Sequence, residues 1–270
     1  MNYTAEQLDA LPRDRDDASN ALEQLIVIGL NETAPTLSHG VRQQIVHGAS
    51  RRLGTMRWCL QRIFELFPPS QARPLPREVL SDVQVYLQAF IVNVSGVLDN
   101  WAWAFVLRHG LVDIETVNVG LFRPQTQRFL PAPFRDYLRS TLKNWHGEYL
   151  KDGRDSLAHQ IPQYIPPALW TTEEATRYRE LESEESECLA KHDFDRLEAI
   201  RVEQDNLGRA APMFIGAFVT GGKKRHPVML HPQLIVDCRT INEIGRRFYD
   251  TWHECRAPAA DDNRRPRAAS

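Results

Sequence analysis

Arg154 and His159 lie five positions apart in the run Leu-Lys-Asp-Gly-Arg-Asp-Ser-Leu-Ala-His-Gln-Ile-Pro, residues 150–162, and Asp155 follows the arginine directly. A guanidinium stays charged throughout the physiological range, whereas an imidazole titrates near neutrality. The two together are a minimal kit for cutting RNA without a metal. One group holds the phosphate, the other moves protons, and the RNA supplies its own 2′-hydroxyl nucleophile. Asp155 stands four residues before His159, the interval at which helical side chains meet, so a carboxylate–imidazole contact would orient the ring and raise its basicity. The same residues would equally make a plain surface ion pair beside a histidine cation at a helix C-terminus. Spacing alone does not choose between these readings. Arg42 and His47 repeat the interval, and Arg247 precedes His253 by one residue more. What sets Arg154 and His159 apart is the intervening carboxylate and the position at a helix end.

That end is fixed by the surrounding pattern. Phe134, Leu138, Leu142, Trp145, Tyr149, Gly153 and Leu157 recur every three or four residues, the stripe of an amphipathic helix. Gly153 on the packed face would admit close approach of another backbone, at a cost of roughly 1 kcal/mol relative to alanine. Ile161 precedes Pro162, and a residue before proline avoids helical geometry. The helix is therefore predicted to stop at His159 or Gln160, with the histidine in its last turn.

Two further helices must pack against this one. Val41, Ile45, Ala49, Leu53, Met56, Leu60, Ile63 and Phe67 mark a long helix from Leu37, stopped by Pro68-Pro69. Leu80, Val83, Leu87, Phe90, Val94, Val97 and Trp101 mark a second, and its widened apolar face places it at the centre of a bundle. Asp99 and Asn100 interrupt that face. Buried polar groups need partners, so these two either line a cleft or bond to a neighbouring helix. Residues 1–36 form a polar segment with two short helices expected, around Ala5–Leu11 and Ala18–Leu30. Thr171-x-x-Glu174 is a capping box that opens a charged helical hairpin over 172–208, turning near His192-Asp193. Met213–Val219 and Pro227–Leu230 flank Gly221-Gly222 and read as a β-hairpin over 213–230. A final helix is expected from Pro232 to residue 254, and the tail 257–270 reads as disordered. The fold class is mainly α: one helical domain over 37–256.

The motif Arg154-Asp155-Ser-Leu-Ala-His159 resembles the signature of the HEPN superfamily, an arginine, a polar residue and a short spacer to histidine. Residues 37–165 carry the resemblance, and the longer run to Ile-Pro-Pro is similar to bacterial HEPN-like proteins of unassigned role. The resemblance implies an all-helical bundle and a metal-independent endoribonuclease. It implies a homodimer in which two motifs face one cleft, in a toxin or defence setting with an antitoxin partner. It assigns acid–base work to His159, phosphate holding to Arg154 and positioning to Asp155. The competing reading is a non-catalytic helical scaffold that binds RNA, or a protein partner through the acidic hairpin 173–205.

Composition sets the limits. The 270 residues are 42% hydrophobic and 25% charged, with a formal charge of −2, so RNA would have to be held by a local basic patch. Lys223-Lys224-Arg225-His226, Arg51-Arg52 and Arg264-Arg265 are such clusters, each also readable as solvated surface. Trp101, Trp103 and Trp145 sit at helical spacing and read as core in preference to base-stacking platforms. Four cysteines without C-x-x-C spacing point to free thiols in a reducing compartment. Cys188 and His192 have one-turn spacing but no further ligand in view, so no metal or other cofactor is expected. No phosphate-binding glycine loop, G-x-S-x-G elbow or H-E-x-x-H is present. The first residues lack a signal-peptide pattern, and Asn93, Asp99 and Asn100 interrupt the best candidate for a membrane span. A cytoplasmic protein is the expectation.

Overall fold

The computed structural model describes residues 3–33, 36–159, 162–215 and 227–256, apart from the side chains of Ala158 and His159. The Gly221-Gly222 turn, the cluster Lys223–His226, the tail 257–270 and the side chain of His159 lie outside that description. The described chain is mainly helical, with one two-stranded antiparallel sheet.

Helix α1 (Ala5–Glu32) is one continuous element, not the two short helices expected. Pro12 lies inside it and removes one backbone donor. The apolar stripe nevertheless crosses the proline, because Leu11, Ala18, Leu22 and Leu25 are all buried on one face. Burial of that stripe outweighs the lost bond. Thr4 caps the start through a reciprocal box with Gln7. The buried residues of α1 belong to the same core as the other long helices.

The helix expected from Leu37 is present as three joined stretches: α2 (His39–Arg42), a π-helical segment (Gln43–Ala49) and α3 (Ser50–Leu66). Helix α4 (Arg77–Arg108) runs through the centre, burying Val83, Leu87, Phe90, Val94, Val97 and Trp101 as its spacing predicts. By length and apolarity an 18-residue stretch of α4 matches a membrane span, against the expectation drawn from its polar interruptions, and 61% of that stretch is buried inside the protein. Its apolar character is used by the core.

The helix predicted over Phe134–His159 is broken. Helix α6 (Ala132–Ser140) follows the short α5 (Pro124–Gln127), the chain bends at Thr141–Leu142, and a second π-helical segment (Trp145–Leu150) leads into α7 (Lys151–His159). Helix α7 is described as far as His159, and Pro162 lies outside it, in keeping with an end predicted at His159 or Gln160. Helices α8 (Thr172–Lys191) and α9 (Phe194–Asp205) form the charged hairpin, with the Thr171–Glu174 capping box in place and His192 turning the chain at φ 59°. Arg177 pairs with Glu180, Glu184 and Glu203, and Arg196 with Glu184, so much of the hairpin's charge is neutralised internally. Strands β1 (Met213–Phe214) and β2 (Val228–Met229) pair antiparallel in register Met213 to Met229, and residues 216–219 of the expected first strand lie outside the described residues. Helix α10 (Leu230–Thr251) starts two residues before Pro232, which sits within its first turn.

Candidate active site

Arg154 sits on α7 and its side chain reaches a cavity of about 500 Å³ between α7, the second half of α4 and the loop 116–123. Each wall is placed by an identifiable device. On α4, Ser95, Leu98, Asp99 and Trp103 share the face turned to the cavity. The loop is held by two buried polar side chains. The Thr126 hydroxyl accepts from the Gly120 amide and donates to the Asn118 carbonyl, both at 3.1 Å, and the Gln127 amide donates to the Leu121 carbonyl at 3.0 Å. These bonds set Phe122 and Arg123 into the cavity wall.

The third wall depends on the π-helical segment. His146, Lys151 and Arg154 all face the cavity, at intervals of five and three. In an α-helix five residues advance about 500°, which would turn His146 away from Lys151. The wider i→i+5 geometry of a π segment brings them onto one side. The segment is anchored on its other side, where the Trp145 indole and the Tyr149 hydroxyl donate to Asp237 of α10 at 2.9 and 2.7 Å. Gln233 also donates to Asp237, at 2.9 Å. Behind Arg154, buried Gly153 meets Ile91 of α4 and Gln163, and a Cβ there would lie 2.8 Å from the Gln163 amide nitrogen. The close approach is made by side chains, not by the backbone that the position led us to expect.

Three cations, Arg123, Lys151 and Arg154, therefore share the cavity lining with one carboxylate, Asp99, among the described lining residues. Asp99 is open to solvent along α4, yet the surrounding protein holds back enough water to raise its carboxyl pKa. Arg154, Arg52 and Arg123 pull in the opposite direction. His146 stacks flat on Phe122, ring centroids 3.7 Å apart and planes 7° from parallel. Burial, then the charges of Arg154, Lys151 and Arg123, push its imidazole pKa down to about 4. At neutral pH the site thus presents a neutral imidazole and a net positive wall, a setting for an anion of phosphate size.

Arg154 also donates from Nε and Nη2 to Asp155, at 3.3 and 3.2 Å. Asp155 lies outside the cavity lining, and its hydrogen-bond partner among the described residues is the arginine. His159 ends α7 five residues beyond Arg154. Of Asp99 and Asn100, which sequence left open between cleft and helix contact, Asp99 lines this cavity, while the Asn100 amide donates to Gln44 at 2.7 Å and lines a recess on the other flank of α4. Of the three tryptophans read as core, Trp101 is fully buried, Trp145 anchors Asp237 and Trp103 is a cavity wall.

No protein-family model, curated protein or solved structure matches this chain. Function has to be read from the cavity itself.

Arg123, His146 and Lys151 are the site residues that sequence reasoning missed. Arg123 carries no motif. His146 and Lys151 fall on the Arg154 face only because of the π segment, which no local residue pattern announces. Among the described residues no group of three or more His, Cys, Asp or Glu side chains converges.

Proposed function

We propose that this protein is a metal-independent endoribonuclease of the HEPN type, with the Arg154 cavity as its phosphate-binding centre. The observation that carries the reading is that Arg154, Arg123 and Lys151 line one recess together with Asp99; the part of His159 comes from the resemblance. In the proposed reaction the RNA 2′-hydroxyl attacks the adjacent phosphorus and loses its proton. The bond to the 5′-oxygen breaks, and that oxygen takes up a proton. His159 carries out proton transfer. Arg154 holds a non-bridging oxygen and opposes the charge that builds on it. Asp155 fixes the direction of the guanidinium through its ion pair. Phe122 and Trp103 offer aromatic surface for a base beside the phosphate. The resemblance supports a homodimer acting in the cytoplasm, as a toxin or defence effector controlled by an antitoxin.

The test is incubation of the full chain with single-stranded RNA and with DNA of the same sequence. RNA fragments ending in 2′,3′-cyclic phosphate beside intact DNA agree with the reading, because DNA lacks the nucleophile. Equal cleavage of both, or of neither, contradicts it.

One observation favours the scaffold reading. The tip of the α8–α9 hairpin exposes Phe194 and Leu189, at 65% and 48%, an apolar spot that a protein partner would cover. Intact RNA, together with loss of a defined complex on Phe194→Ser, would select it.

A further inference from the structure

A second basic recess lies on the other flank of α4. It is an open pocket of about 460 Å³ between the first π-helical segment, the start of α3 and the middle of α4. Its cationic walls are Arg51 and Arg52, His47 lies beside them, and no carboxylate lines it among the described residues. Arg52 is half-buried, and its guanidinium donates to the Asn100 amide oxygen at 2.9 Å and the Asn93 amide oxygen at 3.3 Å. Both acceptors are neutral. Arg51 and Arg52 have no carboxylate at ion-pairing distance among the described residues, unlike neighbouring Arg57 and Arg62 of the same helix. A guanidinium oriented by amides keeps its whole charge, and its remaining donors are aimed at whatever enters.

The pocket is shaped to hold that arrangement. A Cβ on Gly96 would lie 2.4 Å from the Arg52 guanidinium carbon, and one on Gly48 would lie 2.5 Å from the Asn100 amide. Both glycines let a polar head lie flat on a helix backbone. Asn100 is in turn fixed by Gln44, and Asn93 by the Ala89 carbonyl at 2.8 Å. The groups are pre-set, so an incoming anion meets little reorganisation.

The two recesses are neighbours round one helix. At about 100° per residue, Asn93 and Asn100 share one side of α4, Asp99 lies about 100° from Asn100, and Gly96 falls between them. Arg52 lies across Gly96, and its charge reaches Asp99 in the first cavity. Cations therefore stand on both flanks of α4, Arg154 and Arg123 on one side and Arg52 and Arg51 on the other. We infer that this pocket is a second phosphate site, which binds the backbone of the same RNA strand away from the scissile position. The inference rests on the RNA reading of the Arg154 cavity and names how that site would extend.

The test uses a fluorescein-labelled 2′-O-methyl RNA of about a dozen nucleotides, which cannot be cut, and anisotropy between about 50 and 200 mM salt. Arg52→Gln is expected to weaken binding about tenfold and to lower the salt slope by about one. Because Arg52 joins two helices, Arg51→Gln is the companion variant. Its side chain is exposed, and it is expected to lose about fivefold with unchanged melting. If both variants bind like wild type while Arg154→Gln does not, this second site is overturned and the Arg154 cavity stands. If wild type itself fails to bind the oligonucleotide, both readings fall. If Arg51→Gln and Arg52→Gln weaken binding and Arg154→Gln does not, the pocket stands and the scissile centre has been misplaced.

Discussion

Arg154 holds Asp155 through two nitrogens on a single carboxylate oxygen, Nε at 3.3 Å and Nη2 at 3.2 Å. Both side chains are more than a third exposed, so the pair orients the guanidinium without supporting the fold. Surface pairs of this kind contribute about 0–1 kcal/mol. Asp155→Asn is therefore expected to change unfolding free energy by less than about 1 kcal/mol and to slow RNA cleavage by about tenfold, through looser positioning of Arg154. Urea unfolding and single-turnover cleavage measure the two. A large stability loss would make the pair structural instead.

Asp99 is the carboxylate among three cations, and it opposes any anion that enters. Its pKa is raised by restricted water and lowered by Arg154, Arg52 and Arg123. As pH falls through that pKa the carboxylate takes a proton and the repulsion goes. Binding of an uncleavable oligonucleotide is thus expected to tighten on acidification. Asp99→Asn is expected to bind several-fold tighter at pH 7 and to show a flatter pH profile. Weaker binding by this variant would argue that Asp99 holds the cations in place.

Two buried groups give stability a pH dependence of opposite signs. His231 accepts from the Tyr3 hydroxyl at 2.9 Å and donates to the Phe67 carbonyl, and burial lowers its pKa from 6.5 to about 4. The unfolded chain takes up that proton first, so stability is lost as pH drops below 6.5. At pH 5 this costs about 2 kcal/mol. Asp237 is raised from 3.8 to about 6, chiefly by burial. The folded state then binds the proton first, and stability rises by about 1 kcal/mol over the same interval. Urea unfolding at pH 7 and pH 5 should show the gain vanish in Asp237→Asn, making that variant more acid-sensitive than wild type. Equal acid sensitivity would contradict the assignment.

Tyr149 ties the cavity wall to α10. Tyr149→Phe removes the hydroxyl donor from a fully buried carboxylate, and a charge left short of a partner costs about 2 kcal/mol. His146 and Arg154 follow from the same segment, so cleavage is expected to fall with stability. In the double variant with Asp237→Asn the loss should be less than the sum of the single losses, because the partners interact. Strict additivity in chemical unfolding would mean that the hydrogen bond carries no weight.

The long helices were legible because burial and periodicity coincide. The stripe from Leu80 to Trp101 predicts the buried face of α4, and Ile161-Pro162 predicts that α7 ends before residue 162. The α8 capping box is equally local and is equally present. What escaped sequence reasoning was geometry that tertiary packing selects. Pro12 reads as a break, but the α1 stripe buried against α10 and α3 carries the helix through it. The two π segments are invisible to a 3.6-residue period, and each shifts the faces of its helix. One of them brings His146 to the face that carries Arg154. Arg123 reaches the site because Thr126 and Gln127 fold the loop back on itself, a pattern that no spacing in the sequence signals.

The most direct measurement is cleavage of end-labelled single-stranded RNA in EDTA by the wild-type chain, Arg154→Gln and His159→Ala. The account predicts 2′,3′-cyclic phosphate products from wild type at a rate the chelator does not change. It also predicts a loss of at least about a hundredfold in each variant, with melting unaltered. Undiminished cleavage by either variant, or a wild-type activity abolished by the chelator, would contradict it.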